Sequence, residues 1–179
     1  NTINRMFVLL LYAYHETEQA HSNLRHYLKH GPIPTAQGRQ VFVVNGPHSL
    51  TPSDFAKDDT IIERANEGFD FGAWAIGLQR APHFDYTHVV LMNASVRGPY
   101  LPSYETRSWW QVFGHQLGGE SNVGLVGTSL NCWASLSETH LQSMFLMFAH
   151  DRLADVVEPR KLLSSKQDHT DAVYRGEIP

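Results

Sequence analysis

The chain has 179 residues, 42% of them hydrophobic and 18% charged, which is typical of one globular domain with a sizeable core. Its net charge of −4 argues against nucleic-acid binding, which normally needs a basic face, and its single cysteine excludes an internal disulfide. No run approaches the roughly 20 apolar residues of a membrane span, and no signal peptide is visible. The start at Asn1 rather than Met is typical of a processed or truncated chain, so the localisation stays open between the cytoplasm and, if an anchor was removed, the Golgi lumen.

Strand-like apolar runs alternate with amphipathic segments along the chain. The runs lie at residues 6–13, 40–44, 60–63, 88–92 and 123–126. Four helices are predicted by apolar residues at helical spacing: Leu24, Tyr27 and Leu28; Phe71, Trp74, Ala75 and Leu78; Trp109, Trp110, Phe113 and Leu117; and Leu141, Met144, Phe145 and Phe148. Gly31 ends the first helix, and Ser135 with Glu138 forms a capping box before the last. This order predicts a single α/β domain over residues 1–179, an α/β/α sandwich with a mostly parallel sheet.

A tight turn rich in Gly, Asn and Asp follows the third predicted strand. Asn66 and Gly68 suit positive φ, and a helix begins near Asp70. The amides at a helix N-terminus favour an anionic or polyhydroxyl ligand, and an ionised Asp70 accepts hydrogen bonds from sugar hydroxyls. Alternatively, Asp70 is a helix cap and Gly68 only a turn residue.

A second polar turn, from Asn93 to Tyr100, follows the fourth predicted strand. Its polar residues at the strand end, Asn93 and Ser95, are neutral, whereas hard divalent cations prefer carboxylates, so the turn predicts at best a weak metal site. Arg97 could neutralise a diphosphate through its paired N–H donors, or it is a surface residue beside a Gly-Pro turn.

The first predicted strand ends in Tyr12, His15 and Glu16, where α/β nucleotide-binding folds contact a base. Tyr12 either stacks on a base or completes the core. The eleven histidines are scattered, with no spacing typical of zinc ligands, and neither a P-loop nor a dinucleotide-binding motif is present.

Taken together, the motifs resemble the rhamnan-synthesis F-like glycosyltransferases, which are similar to the wider GT-A superfamily. The resemblance covers most of residues 6–150. It rests on the segments Tyr12 to Thr17, Asn66 to Trp74 (N-x-G-x-D-x-G-x-W), Met92 to Pro102 (M-N-A-S-V-R-G-P-Y-L-P), Val123 to Cys132 (V-G-L-V-G-T-S-L-N-C) and His140 to Phe145 (H-L-Q-S-M-F).

This resemblance implies a GT-A-like fold and a glycosyltransferase that uses a nucleotide-sugar donor, such as a rhamnosyl donor, to extend a glycan or cell-surface polysaccharide. Carried over by position, four residues would face the nucleotide: Tyr12, Glu16, Asn66 and Asp70. Asn93, Ser95 and Arg97 would flank the diphosphate and sugar. Ala94 stands where many relatives have Asp, so a manganese or magnesium ion would depend on donor phosphates, waters and a distant acid.

An inverting transferase also needs a base on the acceptor side. The resemblance gives that position to Glu177, with Asp168 and Asp171 as substitutes, and implies that the acceptor half is truncated or disordered at the C-terminal end. The alternative function is a catalytically inactive nucleotide- or glycan-binding module of a larger protein, which the missing acidic motif would suit.

Overall fold

A computed structural model describes residues 6–118, 123–132 and 139–152. Two short 3₁₀ turns occur in these ranges, at Pro52–Asp54 and His150–Arg152. The remaining elements in chain order are β1 (Val8–His15), α1 (Glu18–His30), β2 (Gly38–Asn45), β3 (Thr60–Arg64), α2 (Phe69–Arg80), β4 (His88–Asn93), α3 (Trp109–Gly114), β5 (Leu125–Gly127), β6 (Leu130–Asn131), β7 (His140–Leu141) and β8 (Phe145–Ala149).

Six of the strands form one sheet in the order β3-β2-β1-β4-β8-β5. The pairs among β3, β2, β1 and β4 are parallel, and β8 runs antiparallel to both β4 and β5. The predicted mixed α/β architecture with a mostly parallel sheet is therefore confirmed. The chain moves outward from β1 through β2 and β3 and then returns to place β4 on the other side of β1. The strand order thus reverses between β1 and β4, and such a switch point opens a crevice at the carboxyl ends of the strands.

Helices cover both faces of the sheet. Alternate residues of β1 point to opposite faces, so Leu10 packs beneath α1 and α3, whereas Leu11 packs beneath α2. Seven of the eight residues of β1 are buried. This burial on both faces explains why the strand is a continuous apolar run rather than an alternating one.

The boundaries of α1 follow from local capping. The Thr17 hydroxyl accepts a hydrogen bond from the Ala20 amide at 3.0 Å, which satisfies one of the unpaired N–H groups of the first turn. At the other end, the Gly31 amide donates to the Tyr27 carbonyl at 2.7 Å. The predicted stop at Gly31 is confirmed.

The last predicted helix is wrong. Leu141 belongs to the short strand β7, and Phe145 and Phe148 belong to β8, which lies between β4 and β5. An apolar run of five or six residues fits both a buried strand and a helix face, so its spacing alone does not decide between them. The position of the segment in the sheet makes it a strand, because a strand between β4 and β5 satisfies the backbone N–H and C=O groups of both neighbours. The predicted capping pair Ser135 and Glu138 lies outside the described residues.

Among the helices in the described ranges, none combines the length and the apolar character needed to cross a bilayer.

Candidate functional site at the switch point

A cavity of about 230 Å³ opens at the carboxyl ends of β1 and β4, where the strand order reverses. Its walls come from the end of β1, the first turn of α1, the start of α2 and the loop after β4. The lining residues are Ala13, His15, Thr17, Gln19, Ala20, Asp70, Asn93, Ala94 and Ser95. Of the eight polar side chains expected from the sequence at one site, four line this cavity: His15, Asp70, Asn93 and Ser95.

Asn93 is the centre of the hydrogen bonding in this cavity. Its side chain is 7% exposed, and its Nδ2 donates to Oδ2 of Asp70 at 2.6 Å. Its Oδ1 accepts from the Ser95 amide at 2.9 Å. Asn93 therefore uses both ends of its amide, one to hold the Asp70 carboxylate and the other to shape the loop after β4.

The main chain around Asn93 is also fixed. Its amide donates to the Met144 carbonyl at 3.1 Å, and the Ala94 amide donates to the Ala13 carbonyl at 3.1 Å. The second bond joins the carboxyl ends of β1 and β4, and it continues the parallel register in which Ala13 faces Asn93. The cavity floor is thus an extension of the sheet rather than a mobile loop.

Asn23 in α1 supports this floor, and the sequence analysis missed it. The Asn23 side chain is 1% exposed, and its Nδ2 donates to the carbonyls of Ala94 at 2.9 Å and Ser95 at 3.3 Å. Gln19 donates in turn to Oδ1 of Asn23 at 2.8 Å. The signal in the sequence was an amide side chain directly before Leu24, on the apolar face of a predicted helix, where a buried polar group needs partners.

Asp70 is not the N-cap of α2, which was the alternative interpretation. The N-cap is Gly68, and no side chain caps this helix. Two successive residues lie in the left-handed region, because Gly68 has φ of +67° and Phe69 has φ of +48°. Glycine adopts this conformation without steric cost, which explains its presence at position 68. This bend places half-buried Asp70 in the first turn of α2 with its carboxylate against Asn93.

His15 and Asn66 lie near each other at the carboxyl end of the sheet. The His15 ring lines the cavity, and its Nδ1 is 2.9 Å from the Asn45 carbonyl at the end of β2. A Cβ added to Gly46 would lie 3.7 Å from the His15 ring and 3.8 Å from Cβ of Asn66. Asn66 is exposed and is not among the residues that line the cavity, so the structure places it at the periphery of the site.

Glu16 points away from the cavity toward the loop after β2. Its carboxylate accepts from the Ser49 hydroxyl at 2.6 Å, from the Ser49 amide at 2.8 Å and from the Tyr14 hydroxyl at 3.2 Å. The hydrogen bonds from Ser49 lower the pKa of Glu16 below its usual value. The Glu16 carboxylate is therefore ionised and hydrogen-bonded to Ser49, and it does not line the cavity.

Tyr12 belongs to the core. Its side chain is 0% exposed, and its ring lies 5.4 Å from the ring of Tyr27 and 5.6 Å from that of Phe42. Burial raises the pKa of its hydroxyl. The residue has the same parity along β1 as Leu10, so its side chain is covered by α1. Of the two sequence alternatives, completion of the core is the correct one, and no surface remains on which a base could stack.

Arg97 does not line this cavity. Its Nη1 donates to the Ser22 hydroxyl at 3.0 Å and to the Ser22 carbonyl at 3.2 Å, and its Nε donates to the Tyr100 hydroxyl at 2.9 Å. These bonds hold the guanidinium on the outer side of the loop, where it lines a neighbouring cavity instead.

In residues 6–118, 123–132 and 139–152, no group of three or more His, Cys, Asp or Glu side chains could hold a metal ion. Asp70 is the carboxylate that lines the cavity in this part of the chain. The expected acceptor-side acids Asp168, Asp171 and Glu177 lie outside the described residues.

The sequence matches no model of a known protein family, and it has no significant match among curated proteins. The assignment of a function therefore depends on the geometry of the site and on the resemblance of the motifs.

Proposed function

We propose that this protein is a glycosyltransferase of GT-A-like fold that moves a sugar from a nucleoside-diphosphate donor to a glycan or polysaccharide acceptor. The observation that carries the proposal is the Asp70–Asn93 pair in a cavity at the point where the strand order reverses. Ligands of open α/β sheets bind at such switch points. The resemblance of the motifs to the rhamnan-synthesis F-like glycosyltransferases supports the same function.

The chemistry of the cavity suits a sugar or ribose. The Asp70 carboxylate accepts hydrogen bonds from hydroxyl groups, while the first turns of α1 and α2 carry partial positive charge toward the diphosphate. A volume of about 230 Å³ is below the roughly 300 Å³ at which pockets for drug-sized ligands begin. The cavity therefore holds one part of the donor, and the rest extends along the open edge of the sheet past His15.

The base for the acceptor hydroxyl comes, in this proposal, from the C-terminal acids. Glu177 is the first candidate, and Asp168 and Asp171 are the substitutes. In an inverting mechanism, that carboxylate removes the acceptor proton while the diphosphate leaves from the opposite face of the sugar. Wild-type turnover after replacing Glu177 with Gln would transfer the role to one of the other two acids.

Weak metal dependence follows from the neutral strand end. Asn93, Ala94 and Ser95 supply no carboxylate, so a divalent cation would be held by donor phosphates and waters with Asp70 as its one acid from the described cavity. We expect transfer to survive removal of metal by EDTA. Complete loss with EDTA and full recovery with manganese would contradict this part of the proposal.

Binding of nucleoside diphosphates and nucleotide sugars, measured by calorimetry, tests the site directly. Asp70→Asn keeps the shape of the side chain and removes its charge, and hydrogen bonds to charged groups are worth about 1.5–3 kcal/mol. We therefore expect donor affinity to fall by roughly ten- to a hundredfold. The matched control is Asp85→Asn, which removes an exposed carboxylate before β4, at the opposite edge of the sheet. Equal binding by both variants would refute the site.

A catalytically inactive nucleotide- or glycan-binding module is the second candidate. It is favoured by the single carboxylate that lines the described cavity and that already bonds to Asn93. A panel of donors with glycan acceptors separates the two functions. Tight donor binding without transfer or donor hydrolysis would favour the module, whereas product formation that falls in Asp70→Asn would favour the enzyme.

A further inference from the structure

A second cavity, of about 260 Å³, lies on the other side of the loop after β4. We call it the apolar cavity. Its walls come from that loop, from α3 and from β8. The lining residues are Met92, Val96, Arg97, Gly98, Pro99, Tyr100, Leu101, Trp109, Val112, Phe113, Thr128 and Phe145. Ten of these twelve residues are glycine or apolar and aromatic residues, so the interior suits an apolar group.

The walls of the apolar cavity are held in place by a hydrogen bond and by side-chain packing. The indole N–H of Trp109 donates to the Gly31 carbonyl at 2.8 Å, which joins the start of α3 to the end of α1. A Cβ on Gly31 would lie only 2.6 Å from Cδ of Pro99, so the loop packs directly on the main chain at that position. The ring of Phe145 contacts both Trp109 and Phe113, with centroids 5.9 and 4.7 Å apart. The wall formed by α3 and β8 is thus part of the packed core. Tyr100 and Leu101 on the loop side of the cavity are exposed.

Arg97 brings a positive charge to one rim of this cavity. Arg97 is held there by Ser22 and Tyr100, both of which are neutral. The ion pairs found in the described part of the chain are His48 with Glu63 and Arg107 with Glu105, so Arg97 is in neither. Its Nη2 makes no hydrogen bond within those residues and remains able to donate.

His26 of α1 lies beside this rim. Its ring lies 4.9 Å from the ring of Tyr100 and 4.6 Å from that of His30. Burial, followed by the charges of Arg97, His30 and Lys29, lowers the pKa of His26. The Nε2 atom of His26 is buried and lacks a hydrogen-bond partner among the described residues. A lowered pKa keeps His26 neutral near pH 7, so the fixed charge at the rim is that of Arg97. An anion beside Arg97 would favour the protonated form of His26 and would raise its pKa.

We propose that the apolar cavity binds a phosphate monoester with an apolar body, which fills the cavity while the phosphate contacts Arg97 at the rim. The cavity volume of about 260 Å³ is a little below the roughly 300 Å³ at which pockets for drug-sized ligands begin, which suits a short apolar chain. A phosphate fits the rim better than a carboxylate because it carries about −1.5 to −2 charges and three acceptor oxygens. The site is separate from the switch-point cavity and does not depend on the proposed transferase activity.

The test measures binding of octyl phosphate, octanoate, octanol and inorganic phosphate to the full chain by calorimetry or ligand-observed NMR. We expect octyl phosphate to bind most tightly, at least tenfold more tightly than octanol, with octanoate between them and inorganic phosphate weakest. Octyl phosphate that binds no better than octanol would overturn the proposal, as would inorganic phosphate that binds as tightly as octyl phosphate.

Two variants separate the rim from the interior. Arg97→Gln should weaken octyl phosphate at least tenfold and leave octanol within about twofold, because it removes only the charge. Val112→Phe should weaken both ligands, because the added ring atoms occupy the cavity. Thr128→Phe, at an exposed wall position, replaces it if Val112→Phe lowers the melting temperature. Arg39→Gln is the matched control, since Arg39 lies over the rings of Phe7 and Phe84.

Unchanged octyl phosphate binding in Arg97→Gln, or in the cavity-filling variant, would overturn the site. Nucleotide binding at the switch-point cavity should be unchanged in these variants, because their side chains do not line that cavity. Failure of this proposal and failure of the proposed transferase function are therefore distinguishable.

Discussion

Replacing Asn93 with Asp tests both the hydrogen-bond geometry of the switch-point cavity and the importance of its neutral strand end. Asn93 donates to the Asp70 carboxylate at 2.6 Å and is 7% exposed. In the variant, an acceptor replaces that donor, and a buried carboxylate faces the half-buried carboxylate of Asp70. One of them must stay protonated near neutral pH, because two carboxylates that share a site raise one pKa strongly.

The expected loss of stability has an upper bound. Two charges about 4 Å apart repel by about 4 kcal/mol at an effective dielectric constant of 20. Protonating one Asp of ordinary pKa about 3.9 at pH 7 costs about 4 kcal/mol, at 1.36 kcal/mol for each pH unit. The variant adopts whichever state is lower in free energy, so Asn93→Asp should lower the free energy of unfolding by about 2–4 kcal/mol at pH 7. Near pH 4.5 the protonation cost falls to about 1 kcal/mol.

The sign of the pH dependence follows from proton binding. The folded variant holds a proton that the unfolded chain releases above about pH 4, so stability falls as the pH rises through that range. Urea unfolding followed by tryptophan fluorescence, at pH values between 4.5 and 8, measures this directly. Millimolar manganese should restore part of the lost stability, because paired carboxylates are suitable ligands for this ion.

The matched control is the exchange Asp70→Asn with Asn93→Asp, which restores one amide facing one carboxylate. We expect it to be within about 1 kcal/mol of the wild type, because the donor and acceptor are merely exchanged. A loss in Asn93→Asp that is equal at pH 4.5 and pH 7.5, or no loss at all, would refute the proximity of these two side chains. So would an exchange variant that is no more stable than Asn93→Asp itself.

Three further predictions concern packing, titration and catalysis. Gly31→Ala should destabilise the protein by about 1–3 kcal/mol in urea unfolding, because its Cβ would lie 2.6 Å from Pro99; Gly124→Ala, with no atom within 4 Å, should change little. Burial lowers the pKa of His88, so stability should fall as the pH drops below about 6.5, and His88→Gln should flatten that slope; an equal slope would contradict the role of His88. Glu177→Gln should retain nucleotide binding in calorimetry and lower turnover by about two to four powers of ten.

Much of the sheet was predictable from local pattern. The strands β1 to β4 are apolar runs bounded by turn residues, and each predicted run differs from the observed strand by no more than about two residues at either end. The end of α1 was predictable because a glycine directly before Pro32 commonly ends a helix, and the Gly31 amide bonds to the Tyr27 carbonyl. The grouping of Asp70 with Asn93 was also predictable, since carboxyl ends of parallel strands meet at one edge of the sheet.

Other features needed contacts between distant parts of the chain. The segment Phe145–Ala149 has apolar residues that suit a helix face, and it became β8 because β4 and β5 lie on either side of it. Arg97 was expected at a diphosphate, yet Ser22, 75 residues away, holds it beside the apolar cavity. These contacts join segments that are far apart in the chain, so the sequence around Phe145–Ala149 or Arg97 does not predict them.

The local sequence therefore determined where most strands and helices lie and which turns carry polar groups, because capping, turn formation and apolar periodicity act between near neighbours. Tertiary structure decided which side chains are buried and which distant groups they contact. The ring of Tyr12 is buried because α1 covers that side of β1, and Asn23 became a support of the site because the loop after β4 lies within its reach. Burial and long-range hydrogen bonding are properties of the assembled sheet and helices, so they arise only when the layers pack together.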